Sequence, residues 1–251
     1  MRDGETTHDA RMLDAVARQA RLANDPAGRP SPLPEAPWAQ AQTRRDVLLA
    51  HWRVELDVLA RELPPGLPLD TFDGEAWVGI ASYRVEGLRV RGLPPLPGLS
   101  TFPQLEVRTY VSVDGRPGVW LFSLELPKAL LVEAAKRAHR LPAYQCRIVA
   151  SPGSFEATRD GVSFRAQYAP TGQPFEAAPG SLDRFLTDRY TLFTEDGGRL
   201  YRAETHQDPW RLQAAEATIE SATIAPLPLE GEPHLLYAAA QDIVVWPLEE
   251  L

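Results

Sequence analysis

Four Asp-Gly pairs, Asp73-Gly74, Asp114-Gly115, Asp160-Gly161 and Asp196-Gly197, lie among stretches in which apolar and polar residues alternate. Such a pair tolerates the positive φ angles of a tight hairpin turn, so each predicts a strand entering or leaving a reversal of the chain. With 24 prolines against 17 glycines, the chain is cut into many short elements joined by stiff turns, which favours β architecture over a helical bundle. Its 251 residues suffice for one large core, and an all-β barrel of this size is often a single domain.

The hairpin around Asp114-Gly115 is the most informative. On its first arm, Leu105, Val107, Thr109, Val111 and Val113 alternate with Glu106, Arg108, Tyr110 and Ser112. One face of that strand is core, and the other is either solvated or lines a cavity. On the second arm, Trp120, Phe122, Leu124 and Leu126 form one apolar face, and Lys128 continues it if the extended conformation survives Pro127. Matching registers would bring Glu106, Arg108 or Tyr110 close to that face. Lysine is scarce: Lys128 and Lys136 are the only two among 26 basic residues. Of the basic side chains, lysine is the one that loses its proton to become an amine nucleophile near neutral pH.

Helical signals are few. Leu56, Leu59 and Leu63 predict two turns ended by Pro64-Pro65-Gly66, and residues 129–140 predict a helix that buries Leu130, Leu131, Ala134, Ala135 and Ala138. Ser181 is a candidate N-cap. Residues 87–103 hold too many prolines and glycines for a regular element, and long stiff loops of this kind are often functional. Residues 9–24 predict a thin amphipathic helix followed by a proline-rich linker, so residues 1–37 read as an arm, a tail more readily than an oligomer clasp, ahead of one domain over 38–251.

Composition removes several functions. A net charge of -8 makes nucleic acid an unexpected partner. There is no run of about 18 apolar residues, which argues against a membrane span and makes a membrane an unexpected partner, and the polar first thirty residues do not resemble a signal peptide, so a cytoplasmic location is expected. The single cysteine, Cys146, reads as a buried strand residue. His8, His51, His139, His206 and His234 lack metal-ligand spacing, and there is no glycine-rich phosphate loop, nucleophile elbow or His-Glu-x-x-His helix. No metal and no cofactor is expected.

The stretches RDVLLAHW, LPPGLPLDTFDGEAWVG, RGLPPLPGLSTFP, VRTYV, GVWLFSL, PGSLDRFLTDRY, GRLYRAETH and VVWPL stand in order from Trp38 to Leu248. In these the chain resembles the YqjF-like family of bacterial domains, itself similar to acetoacetate decarboxylase. The resemblance implies a mainly β (α+β) fold, an antiparallel β barrel or cone with a few short helices, an interior pocket for a small-molecule ligand and assembly into a homo-oligomer. Arg53, Leu59 and Pro64 match the decarboxylase's Arg-x5-Leu-x4-Pro spacing, and Pro127-Lys128 falls where its Schiff-base lysine follows a proline. Two departures stand out: Ala129 replaces the second lysine, and Phe122 replaces a glutamate.

Two functions follow as expectations. In the first, a Schiff-base lyase acts on a small keto acid. Lys128 is the nucleophile, Glu106 or Tyr110 relays a proton, and Arg53 or Arg108 holds the substrate carboxylate, with His51, Trp120, Phe122 and Tyr190 as pocket walls. In the second, the same pocket binds a small carboxylate or lipid-like metabolite without transforming it. A structural scaffold is the third reading. For each residue there is a plainer role: a boundary lysine in solvent, an Arg108–Glu106 ion pair, or wall tyrosines with satisfied hydroxyls.

Overall fold

The computed structural model describes residues 14–251; Met12 and Leu13 of the expected N-terminal helix lie outside them. The strands are β1 (Gln40–Val54), β2 (Ala76–Val90), β3 (Phe102–Val113), β4 (Arg116–Leu126), β5 (Ala143–Gln145), β6 (Arg147–Ser151), β7 (Ser154–Arg159), β8 (Val162–Phe175), β9 (Thr191–Asp196), β10 (Arg199–His206), β11 (Leu212–Ala222) and β12 (His234–Glu250). Helix α1 covers residues 14–22, and α2 (Leu56–Ala60), α3 (Ala129–His139) and α4 (Leu182–Thr187) follow. The Asp-Gly turns form as their chemistry requires: Asp114, Gly115, Asp160 and Gly161 all take positive φ, between β3 and β4 and between β7 and β8. Ser181 caps α4, its hydroxyl accepting from the Arg184 amide at 3.2 Å.

The pairings close on themselves. β1–β2–β3–β4–β9–β10–β12 is a continuous series, and β12 pairs back onto β1 over eleven matched positions. The result is a barrel-like ring of seven strands. All of its pairs are antiparallel except β4–β9, where the long excursion through α3 and β5–β8 brings the chain back in the same direction. From β12 the sheet continues outward through β11, β8, β7 and β6. This extension folds over the ring: Phe155, Ala157, Phe164 and Ala166 pack against Leu48, Ala50, Val78, Ile80, Leu105 and Val107.

The opposite faces of the ring strands make an inner core of Val47, Leu49, Ala81, Tyr83, Val85, Leu124 and Leu126, closed over by Leu131 and Val132 of α3 and by Trp210. The arm is docked. Leu22 is fully buried against Ala41, Val244 and Trp246, and the Tyr190 hydroxyl donates to the Gly28 carbonyl at 2.9 Å. Arg29, its side chain almost wholly enclosed, pairs with Glu204. Among the described residues no helix is long and apolar enough to cross a membrane.

A candidate ligand site inside the ring

Two β-bulges decide which side chains face inward. On β1 the register slips between Arg45 and Leu48 around Asp46, whose φ is +52°. Gln40, Gln42 and Arg44 therefore share the interior with Val47 and Leu49, although the two sets differ in parity. On β4, Val107 pairs with Ser123 and Arg108 with Leu121, so Phe122 is the extra residue. Before it the odd positions Val119 and Leu121 face the interior; after it Leu124 and Leu126 do. The expected continuous face of Trp120, Phe122, Leu124 and Leu126 is thus split. Trp120 and Phe122 turn out of the cavity and pack near Leu63, Leu67, Val111 and Phe193.

Inside is a cavity of about 350 Å³ to which every one of the seven ring strands contributes a side chain. Its walls are apolar, chiefly Leu88, Phe102, Leu121, Leu124, Leu126, Leu131 and Trp210. A polar group is formed by Gln104, Glu106 and Arg108 on β3, Gln42 and Arg44 on β1, and Arg189 after α4, while Gln40, Arg89, His139, Thr205 and Gln207 add polar atoms elsewhere on the wall. The polar face of β3 is therefore a cavity lining, with Glu106 opposite Leu124 and Arg108 opposite Leu121.

Glu106 is the hub. One carboxylate oxygen accepts from Arg44 at 3.0 Å, from the Gln104 amide at 3.2 Å and from the Tyr83 hydroxyl. Arg44 also lies over the Tyr83 ring, 4.5 Å from its centre. Burial pushes the Tyr83 phenol well above its ordinary range, so it serves as a donor. Arg108 is held less completely. Its nearest carboxylate oxygen, on Glu106, is 3.7 Å away, and its Nε has no hydrogen-bond partner among the described residues. Burial works against its charge, but Tyr110 and Glu106 outweigh it and the guanidinium stays firmly protonated. Arg189 is nine-tenths enclosed: it donates to Asp70 and to the Phe185 carbonyl, and stacks on the rings of Phe185 and Tyr110.

Behind Arg108 lie Tyr110 and His51, ring centres 6.1 Å apart, neither among the cavity-lining residues. The Tyr110 hydroxyl and both His51 nitrogens are buried without partners among the described residues. Burial, then the charges of Arg108 and His234, hold the imidazole well below its ordinary pKa, so it is neutral. Gly79 makes room for the pair, since a Cβ there would sit 2.8 Å from the His51 ring.

The structure thus gathers Glu106, Arg108, Tyr110 and His51 and leaves five expected residues elsewhere. Lys128 is the N-cap of α3; it is exposed, and its amine donates to the Gly98 carbonyl at 2.6 Å. It shares the parity of the inward-facing Leu124 and Leu126 but lies outside the lining because β4 ends at Leu126 and the chain turns at Pro127 into α3. Arg53 is exposed at the end of β1, 5.9 Å from the centre of the Trp77 ring. Tyr190 is occupied with the arm, and Trp120 and Phe122 face outward. Sequence reasoning missed Arg44, Tyr83, Gln104 and Arg189. Arg44 and Tyr83 become interior only through the bulge and the register of β1 with β2. Gln104 had a signal, its parity with Glu106 and Arg108.

Residues 41–242 match the model of DUF2071, a family of uncharacterized conserved proteins. The chain is also 37% identical over 230 residues to the uncharacterized protein YqjF of Bacillus subtilis (strain 168), spanning 87% of this chain and 95% of the relative. The chain belongs to the DUF2071 family. Its fold is that of acetoacetate decarboxylase-like proteins. The acetoacetate decarboxylase of Legionella pneumophila superposes with a TM-score of 0.63 at 12% identity, over 92% of this chain and 94% of the other. The enduracididine biosynthesis enzyme MppR, complexed with pyruvate, superposes with a TM-score of 0.59 at 16% identity, over 90% of this chain and 94% of the other. At these identities the likeness establishes architecture alone.

Proposed function

We propose that the ring cavity is a non-covalent receptor for a small amphipathic carboxylate, whose charged end meets Arg108 and whose hydrocarbon end lies along the leucine wall. One observation carries this reading: the lining holds four arginines, Arg44, Arg89, Arg108 and Arg189, against a single carboxylate, Glu106, and no lysine. Arg44 and Arg189 have short-range acidic partners and Arg89 is bonded to Gln19, which leaves Arg108 with unspent hydrogen-bonding capacity. A planar guanidinium in a low-dielectric cavity is suited to a carboxylate, which it grips through two parallel N–H donors. In this arrangement Glu106 is a positioning residue that fixes Arg44 and aligns Arg108. The volume lies at the lower end of the range for small-molecule pockets, which suits a single-chain acid rather than a two-chain lipid. The pyruvate complex of MppR agrees in ligand class.

Imine chemistry has weaker support. Both lysines of the chain are exposed, and an attack from Lys128 would require its amine to leave Gly98 and enter past the mouth. The test is calorimetric titration with straight-chain carboxylates of increasing length and with the matching primary alcohols. Carboxylates should bind, more tightly as the chain lengthens until the cavity is full, and alcohols should bind weakly or not at all. Equal affinity for acid and alcohol, or no binding by any member of the series, would sink the proposal.

A further inference from the structure

The rim of the cavity is itself unusual. Val90, Leu93, Leu96 and Leu130 all line the mouth, and all four are more than half exposed, between 56% and 61%. They belong to two neighbouring pieces, the end of β2 with the loop after it and the first turn of α3, which the Lys128 amine ties together at Gly98. Scattered surface leucines need no explanation, but four aliphatic side chains around one opening form a patch that invites a partner. The loop is stiff, with Pro94, Pro95 and Pro97 limiting its freedom, so little order has to be imposed on it when it docks.

The two pieces of the rim carry charges of one sign. Arg91 and Lys128 are exposed beside the leucines, and no acidic residue occurs from Gly87 to Leu105 or from Leu126 to Val132. The nearest acid on α3, Glu133, is neutralised in part by Arg137 at 3.8 Å. On a chain whose net charge is -8, an apolar rim built from two pieces that carry cations and no acid is a local exception. It would turn this end of the molecule toward a negative surface while the rest is repelled.

We propose that the mouth of the cavity docks on an anionic lipid surface, with Leu93, Leu96 and Leu130 entering the headgroup boundary and Arg91 and Lys128 pairing with lipid phosphates. This is a peripheral seat and needs no membrane span, which was the ground for expecting no membrane partner. A second copy of the chain fits the rim less well, because a two-fold contact would set cations against cations with no acids to meet them. A protein partner would also seal the opening, whereas a lipid surface leaves it facing the phase in which amphipathic acids dissolve. The choice of cargo rests on the carboxylate reading above; the docking itself does not.

Flotation of the full chain with vesicles tests it, using phosphatidylglycerol and phosphatidylcholine in equal parts against phosphatidylcholine alone, with no carboxylate added. The wild type should float with the anionic vesicles, and less so as salt rises from about 0.1 M to about 0.5 M. The double variant Leu93→Asp/Leu96→Asp, checked for unchanged circular dichroism, should remain at the bottom. Arg91→Gln and Lys128→Gln should each lower partitioning about fivefold. Failure to float with either vesicle, or equal flotation of the double variant, overturns the proposal. So does a wild-type dimer in sedimentation velocity that the double variant dissolves, since the rim is then an interface between copies. Calorimetry of the wild type without vesicles tests the carboxylate reading separately, so either can fail while the other stands.

Discussion

Replacing Arg108 by methionine separates a binding role from a structural one. The residue is 6% exposed, its contact with Glu106 is 3.7 Å, and its Nε has no hydrogen-bond partner among the described residues. Glu106 does not depend on it, since Arg44, Gln104 and Tyr83 all donate to the carboxylate. Methionine fills most of the arginine stem and removes a buried charge that the folded protein satisfies incompletely, so stability in the absence of ligand should change by no more than about 1 kcal/mol, with a gain as acceptable as a loss. A charge-assisted hydrogen bond contributes about 1.5–3 kcal/mol, so affinity for a medium-chain carboxylate should fall about 10- to 150-fold. Alcohols of the same length should be indifferent to the change. Urea unfolding and titration calorimetry on the same preparation read the two quantities. If Arg108 were the structural counter-ion of Glu106, its removal would cost about 3–5 kcal/mol through an uncompensated buried charge. A loss of that size, with carboxylate affinity intact, would refute the reasoning.

Other outcomes follow from the same geometry. Lys128→Ala should leave carboxylate binding within about twofold, and borohydride treatment with a small 2-oxo or 3-oxo acid should add no mass to the wild-type lysine, as mass spectrometry of the peptide would show; the alanine change removes only an exposed contact, within about 0.5 kcal/mol. Gly79→Ala would put a Cβ 2.8 Å from the His51 ring and 3.3 Å from the Tyr110 hydroxyl, and should lower stability by about 1–3 kcal/mol in thermal unfolding. Leu22→Ala should cost about 2–4 kcal/mol, because Leu22 is fully buried against the ring, whereas a trailing arm would give no change. Burial holds His51, His139 and His206 below the ordinary value of 6.5. Below about pH 6.5 the unfolded chain therefore takes up protons that the folded one refuses, so urea midpoints should fall as pH drops through that value and level off above it; His51→Gln should flatten the slope, and a slope of opposite sign would contradict the burial argument.

Local chemistry was legible in the sequence and long-range closure was not. Asp114-Gly115 and Asp160-Gly161 produce their hairpins because a two-residue turn needs positive φ wherever it occurs. Helix α3 forms where periodicity and Pro127 place it, but its buried face is Leu131, Val132 and His139, and Leu130, Ala134 and Ala138 of the expected stripe are exposed because that side borders the open cavity mouth. By contrast, the pairing of Thr43 with Asp242, nearly two hundred residues apart, leaves no mark within either strand, yet it turns a sheet into a ring and the polar face of β3 into a lining. Trp120 and Arg44 share a cause for their facing. A period of two predicts a facing only while register holds, and one inserted residue reverses it for everything beyond. Phe122 is such a residue: it sets Trp120 outward although Leu124 and Leu126 face inward, while Lys128 is left at the mouth by the end of β4 at Leu126. The bulge at Asp46 does the converse on β1, keeping Arg44 inside with Val47. The Asp46 bulge keeps a guanidinium inside and the end of β4 at Leu126 keeps the amine out, an interior suited to gripping an acid rather than to forming a bond to a ketone.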